Sequence, residues 1–246
     1  MQRTDAQRHA QITGWLFIAT FVFSIPGALL YAPLLHHTNY IVGAGSDTQI
    51  ALGASLEILS AVAGIGTAVA VYPIVKRQSE SMALGYVAAR VLESTVIVVG
   101  IVSVLSVVKL RHDFTGTPST DSASLILAGR QLKAFHDMTF LLGPSFCAAI
   151  GNGIILGTLM YRSGLVPRRL ALIGVIGGPL ALIAALGALF NVYDQNSAPQ
   201  GVLTVGEIVW EASFGIYLVV KGFTAAGLDK LGLPPAETTR TAAPTG

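Results

Sequence analysis

Several ionisable side chains fall inside apolar runs long enough to cross a lipid bilayer, and their placement constrains the fold more than any motif does. Glu57, Arg90, Glu93, Glu207 and Glu211 are the clearest cases. A charged side chain at the centre of a spanning helix costs about 2.5–3.5 kcal/mol on insertion scales. Such residues persist where they face one another, water or a ligand. Only 11% of the 246 residues are Asp, Glu, Lys or Arg, and 52% are hydrophobic. Soluble domains carry about 25% charged residues, so the composition reads as an integral membrane protein. The apolar stretches are continuous rather than alternating, which fits helices and not barrel strands. The predicted class is all-α: a polytopic membrane protein built as a bundle of six transmembrane helices.

A span needs about 20 apolar residues. Six stretches qualify, at residues 14–35, 51–75, 83–108, 134–161, 170–190 and 204–223. Residues 1–232 thus read as one transmembrane domain and 233–246 as a disordered cytoplasmic tail, poor in apolar residues. The fourth stretch is longer than a bilayer requires, so it is expected to tilt or to emerge at one end. Arg3 and Arg8 precede the first stretch as they would in a signal peptide. That stretch runs on through Ser24-Ile25-Pro26-Gly27, too long for an h-region, and reads as a retained helix. Within 109–133, residues 112–124 read as coil, and residues 125–133 as a short interfacial helix with Leu125, Ile126, Leu127 and Leu132 toward lipid.

Lys and Arg orient the spans. Loops 36–50 and 191–203 carry neither, whereas Arg3, Arg8, Lys76, Arg77, Arg162, Arg168, Arg169, Lys221, Lys230 and Arg240 share the opposite side. Lys109, Arg111, Arg130 and Lys133 dissent. The balance places both termini in the cytoplasm. Pro26, Pro144 and Pro179 interrupt spans beside Gly27, Gly143 and Gly178, so each is expected to kink its helix. Gly53, Glu57, Ser60 and Gly64 form a small-residue face on the second span, as close helix packing requires.

The polar residues cluster by depth. At 1.5 Å rise per residue, Arg90 lies about 10 Å from the inner end of the third span and Glu57 about 9 Å from the outer end of the second. Arg90 and Glu93, three apart, share a helix face and can pair. Glu207 and Glu211 share a face on the outer half of the sixth span, with Glu207 shallow enough to be read equally as solvated. His136 and Asp137 sit at the outer mouth of the fourth, and Asn152 lies deeper on it. The candidate ligand- or proton-binding set is therefore Glu57, Arg90, Glu93, His136, Asp137, Asn152, Glu207 and Glu211. So many carboxylates cannot all ionise in a dry bundle. They must be protonated, hold a cation or line a wet cavity.

Other chemistry is poorly represented. GxSxG, Walker A, GxGxxG, HExxH and CxxC motifs are absent. Cys147 is the only cysteine and lies in an apolar run, where it reads as a small packing residue. A zinc or manganese site of His136 with carboxylates is chemically allowed, but nothing in the spacing singles one out. The reading takes no metal, no cofactor and, at a net charge of +2, no nucleic acid as a partner. The partners expected are the lipid bilayer and a small molecule or cation.

The sequence also resembles a known family. Thr13-Gly14, Arg90-Val91-Leu92-Glu93, His136-Asp137, the run from Leu156 through Tyr161-Arg162-Ser163-Gly164-Leu165-Val166-Pro167-Arg168, Gly174, Gly177-Gly178-Pro179, Glu207-Ile208-Val209-Trp210-Glu211 and Tyr217–Gly222 are similar to the DUF4386 family of bacterial multi-pass membrane proteins. The resemblance covers about residues 10–224. It implies six membrane helices and no particular activity. Three functions compete. The first is a small transporter or ligand-binding protein with an acidic intramembrane cavity open to the outside. The alternative is a structural or accessory subunit whose polar groups merely pair. The third is a lipid-acting enzyme using His136 and Asp137 for acid–base work.

Overall fold

The computed structural model describes residues 1–37, 39–43, 45–114 and 121–233. Among them every regular element is a helix: α1 (Arg3–His36), α2 (Asp47–Val75), α3 (Glu80–Phe114), α4 (Ser122–Ser163), α5 (Arg168–Leu189), α6 (Ala198–Val220) and the short α7 (Ala225–Lys230). The first six are long and apolar enough to cross a membrane. Each packs against its neighbour in the chain, and α6 returns to pack on α1. Short connections make consecutive helices antiparallel neighbours, so the chain closes into a ring around a central space.

Two apolar clusters fill the ends of that ring. One joins Ala6, Ala10, Phe17, Val71, Tyr86, Trp210, Phe214 and Leu218, from the half that holds the termini. Phe17 meets Phe214 edge-on at 5.2 Å, and Trp210 lies 4.8 Å from Phe214. The second joins Tyr31, Leu34, Ile41, Ile50, Ile101 and Val104 in the opposite half. The buried polar residues lie between them.

Helix ends depart from the apolar stretches in ways the packing explains. Helix α1 starts eleven residues ahead of the stretch at 14–35 because Ala6 and Ala10 are fully buried. The Gln7 side chain accepts from the Phe223 amide and donates to its carbonyl, both at 2.8 Å, and Arg3 donates to the Ala225 carbonyl. The two terminal segments thus clasp each other on one face. Leu233, assigned to the tail from sequence, is fully buried and closes this cluster; the rest of the expected tail, 234–246, lies outside the described residues.

The fourth helix extends well beyond the apolar stretch at 134–161, and its extension packs on the bundle. Helix α4 is 42 residues long, and its first turns take up the segment expected as a separate interfacial helix. Leu125, Ile126 and Leu132 pack inward against the cluster around Tyr31; only Leu127, 58% exposed, faces away as expected. Residues 112–114, expected as coil, continue α3, while 115–120 lie outside the described residues. Helix α4 widens into π-helical turns over Leu141–Cys147 and Ala149–Leu156. Pro144 sits there, and a wider turn accommodates a residue that cannot donate to the ladder.

The connection at 164–167 has a structural explanation. Gly164 adopts φ +71 and ends α4, and Pro167 precedes α5. Leu165 and Val166 are buried. Thr224 donates its amide to the Leu165 carbonyl and its hydroxyl to the Gly164 carbonyl. This segment is a joint between α4, α5 and α7.

Candidate functional site

Six of the eight candidate residues line one cavity of about 200 Å³ between the apolar clusters: Glu57, Arg90, Glu93, His136, Glu207 and Glu211. They arrive from α2, α3, α4 and α6, and α1 closes the wall with Thr20, Phe21 and Ser24.

Arg90 organises the inner end. Its Nη1 donates to Glu93 Oε2 at 2.6 Å, the i,i+3 pair expected, and its Nε donates to the Gly64 carbonyl at 3.2 Å. Gly64 is more than a packing residue, because a Cβ there would sit 2.8 Å from Arg90 Nη2. Ser94 reaches across to the Ala61 carbonyl at 2.9 Å and fixes the register of α2 against α3.

Glu211 accepts from Asn152 Nδ2 at 2.5 Å. Asn152 lies behind the cavity wall rather than on it, and the Trp210 indole donates to its carbonyl at 2.9 Å. Glu207, one turn away, is only 4% exposed, and both its carboxylate oxygens lack a hydrogen-bond partner. The alternative of a solvated Glu207 is therefore corrected. Glycines explain the difference: the Gly153 and Gly178 backbones touch, the Gly177 backbone lies against Gly206, and Glu207 sits directly over Gly153. Close approach of α4, α5 and α6 roofs a side chain that helix depth alone would leave wet.

The outer end is built by Glu57 and His136. Both line the cavity, and the Tyr31 ring meets His136 edge-on at 6.0 Å. The Tyr31 hydroxyl faces Glu57 without closing a hydrogen bond of normal geometry. His136 Nδ1 is also buried without a partner.

Asp137 is the candidate that the fold removes from the site. It pairs with Lys133 at 2.6 Å, its carbonyl accepts from Gln195, and its side chain stays 3.7 Å from His136 Nδ1. Consecutive helix residues point about 100° apart, so a side chain next to His136 in sequence is aimed elsewhere. The pair therefore makes no hydrogen-bonded acid–base dyad.

Donors on the cavity wall are largely committed. The hydroxyls of Thr20, Ser60, Ser94, Thr139 and Thr204 each donate to a backbone carbonyl. Arg90 is engaged twice. The cavity therefore offers many acceptors and few donors. Among the described residues, no three His, Cys, Asp or Glu side chains converge closely enough to hold a metal ion; the carboxylates are spread along the cavity instead. Sequence reasoning did not single out Tyr31, Trp210 or Thr204. An aromatic near a span end reads as an interfacial anchor, and spacing alone does not show which way it turns.

The model of a family described as a domain of unknown function, DUF4386, matches residues 12–222. No curated protein and no solved structure matches the chain.

Proposed function

Because the chain belongs to the DUF4386 family, whose description assigns no activity, we propose its function from its own cavity: it binds a small organic cation inside the membrane, as a transporter or ligand-binding protein facing the outside. The observation that carries this reading is the imbalance of the cavity. Four glutamates meet one arginine there, and the carboxylate of Glu207 has no partner at all. A buried carboxylate without a hydrogen bond is costly, and a bound ammonium supplies the missing donors. Anions are disfavoured by the same account, since wall hydroxyls and Arg90 are already engaged.

Butylamine, protonated at neutral pH, is a direct probe. Purified protein in detergent is expected to unfold at a temperature that rises with butylamine and saturates, while butyrate and butanol have no such effect. At a hundredfold excess over Kd the stabilisation is about 2.7 kcal/mol. Glu207→Gln, which keeps the shape and removes the charge, is expected to weaken the amine response at least tenfold. An equal response to butyrate, or an unchanged amine response in Glu207→Gln, overturns the proposal. Uptake of labelled amine into vesicles carrying the protein, set against vesicles without it, separates a transporter from a binding protein.

A further inference from the structure

The acidic groups do not form one cluster but two stations, and this separation bears on the ligand. The register of α2 against α3 fixes their levels. Arg90 bonds the Gly64 carbonyl and Ser94 the Ala61 carbonyl, so moving outward along α3 matches moving back along α2 toward Glu57. Gly100, further outward on α3, packs on Thr139 and His136. Glu57 and His136 therefore share the outer level, while Arg90, Glu93, Glu207 and Glu211 share the inner one. From Gly64 to Glu57 the helix rises about 10 Å.

Each station holds an acidic group that the protein leaves incompletely paired. At the inner one, Arg90 is matched by Glu93 and Glu211 receives a single bond from Asn152, while Glu207 has nothing. At the outer one, among the described residues, no side-chain cation forms a salt bridge with Glu57, which faces the Tyr31 hydroxyl, and the Nδ1 of His136, a residue only 7% exposed, has no hydrogen-bond partner and stays 3.7 Å from Asp137. Between the levels of Glu57 and Gly64 the lining includes Ser60 and Ser94, whose hydroxyls are committed to the Thr20 and Ala61 carbonyls; Phe21, Ile97, Phe140 and Ile208 supply apolar surface to the same cavity. From inside to outside the cavity runs from acid, past apolar side chains and hydroxyls already committed to backbone carbonyls, to acid.

We infer that the ligand is a linear diamine, with one ammonium at Glu207 and Glu211, the other at Glu57, and an apolar chain between. The inference rests on the organic-cation reading above and goes further by fixing the number and spacing of the charges. An ion-pair length of about 2.8 Å at each end shortens the gap to a chain of a few methylenes. A single point cation leaves one station unmatched. Two ammonium groups joined by one chain bind with the second contact made intramolecular, which raises affinity when the spacing fits.

The test compares diaminobutane, diaminohexane and diaminooctane with butylamine, hexylamine and octylamine in thermal unfolding of the full-length protein. Each diamine is read against the monoamine of the same chain length, which corrects for apolar burial and detergent effects. The expected result is a diamine advantage of at least tenfold in half-saturating concentration that peaks within the series. Glu57→Gln is expected to reduce that ratio to about one. This comparison needs only the wild-type protein, so a poorly folding variant does not block it. If monoamines stabilise and no diamine exceeds its partner, the two-station inference falls while the organic-cation reading stands. If no amine stabilises, both fall.

Discussion

Gly64 is the residue at which one added methyl group reaches the centre of the site. An alanine Cβ there would lie 2.8 Å from Arg90 Nη2 and 3.2 Å from Ser94 Oγ, both held in place by hydrogen bonds. Overpacking of this kind costs about 1–3 kcal/mol. Gly201, near the start of α6, has nothing within 4 Å of its ideal Cβ, so alanine there acts through helix propensity alone and gains up to about 1 kcal/mol. Thermal unfolding of Gly64→Ala and Gly201→Ala should therefore move in opposite directions, and equal shifts would remove the steric argument. The Arg90–Glu93 pair gives a second test at this scale. Losing one partner strands the other charge and costs about 3–5 kcal/mol, whereas replacing both with apolar residues of similar volume is far milder. Arg90→Met with Glu93→Leu should accordingly be more stable than Arg90→Met alone. A double variant as weak as the single one would mean that the pair does not act as a unit.

At the scale of the elements, α4 shows what the sequence revealed and what it concealed. The apolar content of 134–161 is legible in the sequence, whereas the twelve residues that lengthen the helix at its start read as coil and a separate short helix. The π-helical turns around Pro144 are not legible either, because a proline in a span signals an interruption without saying whether the backbone kinks or widens. Asp137 adjoins His136 in sequence, and the depth of Glu207 fits a site residue and a solvated one equally; distance along one helix decides neither case, because the deciding geometry belongs to its neighbours. The beginning of α4 yields a pH prediction. Asp121 caps the helix, accepting from the Ser124 hydroxyl and from the amides of Ala123 and Ser124. The Ser124 hydroxyl first, then the two amides, hold its carboxyl below the usual range. A lowered folded pKa means the cap is fully formed above the ordinary carboxylate value of about 3.9 and is lost as pH falls through the lower folded value. Protection of the amides at residues 122–126, taken relative to the intrinsic exchange rate at each pH, should thus fall on acidification through that window. Asp121→Ala should exchange quickly at every pH. Asp121→Asn, which keeps an accepting side chain, should stay protected and lose the pH dependence. Protection in Asp121→Ala equal to wild type would show that packing of Leu125 and Ile126, not the cap, holds the helix start.

Across the whole molecule, chain order around the ring puts the joint at Gly164, the clasp between Gln7 and Phe223, and α7 on one face, while the loops after α1 and α5 share the other. The Lys and Arg excess lies on the first face: Arg3, Arg8, Lys76, Arg77, Arg162, Arg168, Arg169, Lys221 and Lys230. The dissenting cations on the second face have local structural partners, since Lys109 pairs with Asp113 at 2.7 Å, Arg111 with Asp47 at 2.7 Å and Lys133 with Asp137 at 2.6 Å. These pairs give three of the four a reason to sit there that is independent of membrane orientation. The charge asymmetry therefore predicts the termini inside and the end of the cavity lined by Glu57 and His136 toward the outside. Orientation matters for function, because the aromatic layer of Phe17, Trp210 and Phe214 fills the terminal half beneath Glu211. With that half in the cytoplasm, this aromatic layer lies between the cavity and the cell interior, as the outward-facing proposal requires. Single cysteines in a Cys147→Ser background test this directly. Val192, 74% exposed after α5, should react as Val192→Cys with a membrane-impermeant maleimide in intact cells. Arg77→Cys, after α2, should react only once the membrane is permeabilised. The reverse pattern would turn the Glu57 end of the cavity toward the cytoplasm and overturn the outward-facing reading.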